Sequence, residues 1–300
     1  MERPRKRRLS VLTVTALVFL SLVWGTQYLV IRIGQETVPP LLGVFFRFLI
    51  LALVAQATVL ATGVAEIRNQ WRERFVFGAS QALAFGCLYW GQKHLPSAVT
   101  ALLFLTAPLF VAPLAHFFVT GERLTIGNLL PVALGFAGAA LLISPAGMAM
   151  GDVASHAAFV VLAGALFSAM NKVFSKRLVS VVPPLILIRD LGVVVAFLSG
   201  IGWLAFEGTM SVVLTPKAIA SFLYLGCVAS ALANIVSLRL LRRYRVTAMS
   251  YLQFVTALVA VLCGVLLGRE AVGARTLIGF LLVLVGLLSL GRTRTVIETA

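Results

Sequence analysis

Residues 11–32 read VLTVTALVFLSLVWGTQYLVIR, and no charge interrupts them from Val11 to Ile31. A helix rises 1.5 Å per residue and needs roughly 20 mostly apolar residues to cross the hydrocarbon of a bilayer. This one stretch therefore reads as a complete membrane crossing. Runs of the same kind recur to Leu290, divided by short polar or basic breaks. The expected spans are 11–31, 41–62, 76–92, 97–119, 125–144, 153–171, 185–206, 218–238, 246–267 and 276–291. The expected fold is an all-α integral membrane protein of ten transmembrane helices. Little chain is left for a soluble domain, so function must lie among the helices.

Composition agrees. Hydrophobic residues make up 60% of the 300 and charged residues 12%, with a mean hydropathy of +1.03; soluble domains carry about twice that charge. A net charge of +15 could suggest nucleic acid. The basic residues instead cluster at the ends of apolar runs, where they set membrane orientation. With the N-terminus inside, the cytoplasmic breaks hold 18 Lys and Arg, among them Arg68, Lys172, Lys176, Arg177 and Arg239, while the outer breaks hold 5: Arg32, Lys93, Lys217, Arg269 and Arg275. Both termini are expected in the cytoplasm, in a multi-pass protein of the inner (plasma) membrane. Arg3, Arg5, Lys6, Arg7 and Arg8 resemble the start of a signal peptide. The apolar run that follows is too long for one and lacks a small-residue cleavage site, so it is taken as an uncleaved first span. Cys87, Cys227 and Cys263 lie inside apolar segments and imply neither disulfides nor a metal site. No cofactor is expected.

The ten spans divide into two fives, over 1–150 and 151–300. At an offset of 148, Glu122 meets Glu270, Leu129 meets Leu277 and Gly138 meets Gly286; the glutamate match weighs most, because the chain has only ten acidic residues. Pro39-Pro40 before the second span also echoes Pro183-Pro184 before the seventh. Five is odd, so the second copy must enter the membrane upside down. Inverted five-helix repeats are a plan of secondary transporters, with the substrate held near the midplane between the halves.

Leu22-Val23-Trp24-Gly25-Thr26-Gln27, then Pro39-Pro40 and Phe46-Arg47-Phe48, then Ala107-Pro108-Leu109-Phe110 and Gly121-Glu122-Arg123-Leu124-Thr125 follow one another in an order that resembles the EamA-type transporters of the drug/metabolite transporter (DMT) superfamily. The resemblance covers essentially the whole chain. It implies ten helices in two inverted five-helix repeats, a central cavity, and export of amino acids or related small metabolites without ATP. The second half departs from the pattern: Thr256 stands where the proline would be, and Gly268-Arg269-Glu270-Ala271-Val272 is a loose version of the glutamate motif.

Polar side chains in hydrocarbon are costly, so those present face a cavity or a partner helix. Trp24, Gln27 and Tyr28 form a cluster at helical spacing that could grip a metabolite by stacking and hydrogen bonding, or serve as interhelical glue. Gln81 and Tyr89 pose the same choice in the third span, with Tyr89 and Trp90 also placed as interfacial belt residues. Thr106 precedes Pro108 and Pro113, which should bend the fourth span. His116, near the end of that span, is read first as structural. Asn171, Asn234 (sharing a face with Ser237), Gln253 and Thr256 are the second-half cavity candidates. The intramembrane charges are Arg47, Arg189 and Asp190. Asp190 is either the one proton-coupling carboxylate or, as favoured here, the partner of an arginine. Glu122 and Glu270 sit at span ends, as helix caps or gates. Gly264 and Gly268 permit close packing, within the monomer or across a homodimer.

The expected partners are thus a small-molecule substrate and the lipid bilayer, with nucleic acid excluded. A multi-span membrane enzyme acting on a lipid-linked substrate is the alternative. It would need a carboxylate, His or Cys constellation, or a phosphate-binding loop, near one interface, and none is written in the sequence.

Overall fold

The computed structural model describes residues 11–65, 69–119, 152–244 and 252–269, with isolated positions at 133–134, 137–138, 249, 273–274, 277–282 and 284–285. Among the described residues there are helices and turns and no strand. In chain order the helices are α1 (Val11–Gly34), α2 (Pro40–Thr62), α3 (Trp71–His94), α4 (Ser97–Phe104), α5 (Ala107–Phe118), α6 (Asp152–Leu178), α7 (Pro184–Phe206), α8 (Pro216–Leu223), a π-helical segment Tyr224–Leu232, α9 (Ala233–Arg243) and α10 (Leu252–Leu266). Among the described residues, six stretches are long and apolar enough to cross a bilayer: Leu12–Gly34, Pro40–Thr62, Ser97–Phe118, Val153–Leu178, Pro184–Phe206 and Pro216–Leu241. The expected fifth and tenth spans, with Glu122 and Glu270, lie outside the described residues apart from those isolated positions.

Local chemistry sets the ends. Pro40 and Pro184 begin α2 and α7, where a fixed φ suits the first turn and no backbone donor is lost. Gly63 closes α2 at φ 61°, its N–H returning to the Val59 carbonyl. Thr215 caps α8 by accepting from the Ala218 N–H at 3.2 Å. The expected bend of the fourth span is a break between α4 and α5 at Leu105–Thr106. Pro108 has no N–H to give the Phe104 carbonyl, and the Thr106 hydroxyl turns back onto the Leu103 carbonyl at 2.7 Å.

Three helices outrun their expected spans. α3 starts at Trp71 and takes in Arg72 and Arg74. α6 continues to Leu178 and takes in Lys172, Lys176 and Arg177, which the sequence had assigned to a cytoplasmic break. The α8–π–α9 rod runs to Arg243. Charged side chains do not stop a helix whose ends find polar partners. Lys176 donates at 2.9 Å to the Leu241 and Tyr244 carbonyls, left open at the end of α9.

α2 and α7 form the central pair and run antiparallel: Gly192 lies against Leu51 and Ala52, Gly200 against Phe45 and Gly202 against Leu41. At one end of the pair, Glu207 accepts the Leu41 N–H at 2.9 Å. α3 and α6 are also antiparallel, with Gly91 beside Ala157 and Val161, and Gly164 beside Ala84 and Cys87. α1 and α10 run parallel, with Gly25 beside Val259 and Gly268 beside Leu29; Gly268 thus packs within the chain. The buried core includes Leu20, Ile31, Val44, Leu51, Leu109 and Ile186. Leu53, Leu60, Phe197, Leu204 and Phe206 point outward and are well exposed, a surface that suits lipid and would be a liability in water.

Candidate substrate cavity

A cavity of about 120 Å³ lies inside the bundle. That is room for several waters or one small metabolite. Its wall is shared by most of the helices, with Phe104 of α4 and Met249 included. α1 contributes Trp24, Gln27 and Tyr28; α2, Arg47 and Phe48; α3, Phe77, Gln81 and Phe85. From the other half come Ser168, Asn171, Lys172 and Ser175 of α6, Ala229 and Ser230 of the π segment with Asn234, Ser237, Leu238 and Leu241 of α9, and Thr256 of α10. The sets from α1, α3, α6 and α9 include residues three and four apart, so one face of each of these helices turns inward.

Arg47 organises the wall. It is 1% exposed. Its Nε donates to the Ser230 hydroxyl at 2.7 Å and its Nη2 to the Gln27 side-chain oxygen at 2.8 Å, tying α2 to the π segment and to α1. The guanidinium lies 4.5 Å from the centre of the Phe85 ring and 5.6 Å from that of Phe48, where ring faces stabilise a cation. Among the described residues no carboxylate reaches it, and Nη1 has no hydrogen-bond partner. The buried Tyr89 hydroxyl likewise has no hydrogen-bond partner among the described residues.

Close backbone approach makes this geometry possible. A Cβ on Gly226 would stand 2.5 Å from Ile50 Cγ2 and 3.0 Å from the Arg47 carbonyl, so only glycine lets the π segment come near enough for Ser230 to meet Arg47. A Cβ on Gly25 would stand 2.5 Å from Val259, so the same holds where α10 brings Thr256 against α1. The π segment shifts its carbonyls off the α-helical pattern. The Ala229 carbonyl accepts from Trp24 Nε1 at 3.2 Å, and the Ser230 carbonyl from Asn234 Nδ2 at 2.8 Å. Opposite, Asn171 Nδ2 donates to the Phe77 carbonyl at 2.7 Å and fixes α6 to α3.

Of the residues singled out in the sequence, the cavity brings together Trp24, Gln27, Tyr28, Gln81, Arg47, Asn171, Asn234 and Thr256. It does not include Tyr89 or Thr106. Tyr89 is wholly buried behind Arg47, and Thr106 is spent at the α4–α5 break. Arg189 and Asp190 are also elsewhere: Asp190 bonds Arg74, with Nε at 2.6 Å, and Arg189, with Nη2 at 2.8 Å. The side chain of Gln253, and all of Glu122 and Glu270, lie outside the described residues.

Sequence reasoning missed Phe77, Phe85, Ser168, Ser175, Ser230 and, above all, Lys172. One signal was present. Pro39-Pro40 and Pro183-Pro184 set an offset of 144, and at that offset Asn171-Lys172 falls on Gln27-Tyr28. The second pair lines the same cavity as the first.

A sequence model of the EamA-like transporter family matches the chain twice, over residues 11–144 and 155–292. A probable amino-acid metabolite efflux pump of Salmonella typhimurium is 30% identical over 88% of this chain and 90% of its own length. The uncharacterized inner membrane transporter YedA of Escherichia coli K12 is 27% identical over 54% of this chain, and the chain spans about half of that relative, 53% of its length. A solved crystal structure superposes with a TM-score of 0.71 at 22% identity, covering 92% of this chain and 94% of that one, which is a likeness of fold.

Proposed function

The chain belongs to the EamA-like transporter family, and on that premise we propose that it is a secondary transporter that exports amino acids or related small metabolites by alternating access. The observation that carries this reading is the cavity itself. It sets polar side chains among aromatic and aliphatic ones, lies inside the bundle, and draws its wall from both segments that match the family. Ten helices in two inverted repeats, over 1–150 and 151–300, are the frame we assign to it. The antiparallel α2 and α7, each opened by a proline pair, support that frame. So does the way α1 packs on α10 as α6 packs on α4 and α5. Rocking of one repeat against the other would expose the cavity to each side in turn. Both termini lie in the cytoplasm in this reading, on the strength of the Lys and Arg distribution.

The test is efflux from proteoliposomes loaded with labelled neutral and aromatic amino acids and their acylated derivatives, with and without a pH gradient. Saturable efflux that needs the protein supports the carrier. Flux that does not saturate would point to a channel, and chemical conversion of the loaded solute to a membrane enzyme.

A further inference from the structure

The charge of the cavity wall has a direction. Two cations, Arg47 and Lys172, face it, and among the described lining residues there is no Asp, Glu or His. The nearby carboxylates of the central helix pair are committed outside the cavity, Asp190 to Arg74 and Arg189, and Glu207 to the Leu41 N–H. The two cations differ in kind. Arg47 is held by Gln27 and Ser230 and stacked on Phe85, so it is a fixed part of the wall. Lys172 is half-buried, and its side chain makes no hydrogen bond or ion pair among the described residues, its carbonyl accepting from the Ser175 hydroxyl at 2.7 Å. It stands on the inward face of α6 between Ser168 and Ser175. A cation in a low-dielectric wall is stabilised by a counter-charge, and Lys172 faces the cavity.

We propose that the cavity selects small organic anions, carboxylates whose amine is absent or acylated, over the corresponding zwitterions, and that Lys172 takes the carboxylate. The rings of Trp24, Phe77 and Phe85 receive the apolar body of the solute. A lysine suits this task because its ammonium is a compact point charge on a flexible stem with three donors, and Ser168 and Ser175 flank it on the same helix face with further hydroxyls. A zwitterion would bring its own ammonium into a wall that already holds two positive charges and offers no described carboxylate. This inference rests on the transport reading above and names the substrate class of the same cavity.

The test uses three solutes with one body and three charges: N-acetylphenylalanine, phenylalanine and phenylalanine amide. Each labelled solute is loaded into proteoliposomes of the full chain with the membrane potential clamped at zero, and its initial efflux is measured beside its binding in detergent by tryptophan fluorescence. The expected result is at least a tenfold preference for the anion in the wild type, lost in Lys172→Gln and kept in Lys172→Arg. Equal or faster efflux of phenylalanine overturns the proposal, as does an anion preference that survives in folded Lys172→Gln. Efflux of other solutes but none of the three overturns it and leaves the transport reading standing. Tight anion binding that depends on Lys172, without efflux of any solute, would support the anion site and count against the transport reading.

Discussion

Asp190→Asn separates the two roles that a carboxylate inside the membrane can have. Asp190 takes bonds from Arg74 on one oxygen and from Arg189 on the other, and all three side chains are largely enclosed, between 11% and 14% exposed. An asparagine keeps the shape, removes the negative charge and leaves two arginines facing each other. Removing one partner of an enclosed ion pair costs about 3–5 kcal/mol, because the remaining charge is uncompensated. For a chain of this size that is a drop of about 5–10 °C in unfolding midpoint. The pair joins the start of α3 to α7, not the cavity wall, so the effect should fall on stability. Unfolding of wild type and variant in matched detergent gives the first number. Efflux per folded molecule, with and without a pH gradient, gives the second. Stability lowered by several kcal/mol with the pH response intact is the expected outcome. A variant within about 1 kcal/mol of wild type that has lost its pH response would refute the reasoning and make Asp190 a proton carrier.

Three other contacts can be tested in the same way. Gly25→Ala places a methyl 2.5 Å from Val259; carbons pack at about 3.5–4.0 Å, so α1 and α10 must part by about 1 Å, costing about 1–3 kcal/mol and lowering efflux, and an unchanged melting point would contradict the close approach. Trp24→Phe loses the bond to the Ala229 carbonyl and should cost about 1 kcal/mol, read by thermal unfolding, with a raised KM for efflux. Burial pushes the Glu207 carboxyl up from its ordinary value of 4.5, against the bonds from the Leu41 and Leu42 N–H groups and the charge of Lys93. The folded state therefore favours the protonated form, so this group's contribution is full below pH 4.5 and declines as pH rises through the folded value. Glu207→Gln should remove that decline, and unfolding curves for the two proteins that stay parallel across the range would contradict it.

Hydropathy made the membrane helices legible because burial in lipid and burial in protein demand the same apolar side chains. It ended them too early. The run closing at Asn171 continues as helix to Leu178, since Lys176 finds carbonyls of α9 and Lys172 finds a cavity. A sequence window treats both lysines as the edge of the membrane. The cavity was half legible. Helical spacing grouped Trp24, Gln27 and Tyr28 on one face, but spacing alone does not say which helix that face meets. Tyr89 therefore read as a cavity residue although it packs behind Arg47. Phe77 and Phe85 were invisible because an apolar ring facing a solute and one facing lipid look the same in sequence. The π segment at Tyr224–Leu232 has no sequence signature of its own. It depends on tertiary contacts such as that between Gly226 and Ile50.

The most direct test of the central claim is the sidedness of the cavity. Ser168 lines it, and the three native cysteines, Cys87, Cys227 and Cys263, are free thiols that can be replaced. Ser168→Cys in that background would be treated with a membrane-impermeant thiol reagent from each face of oriented proteoliposomes, with and without saturating solute. Labelling from both faces, suppressed by solute, is what alternating access through this cavity predicts. Labelling from one face under every condition would contradict it.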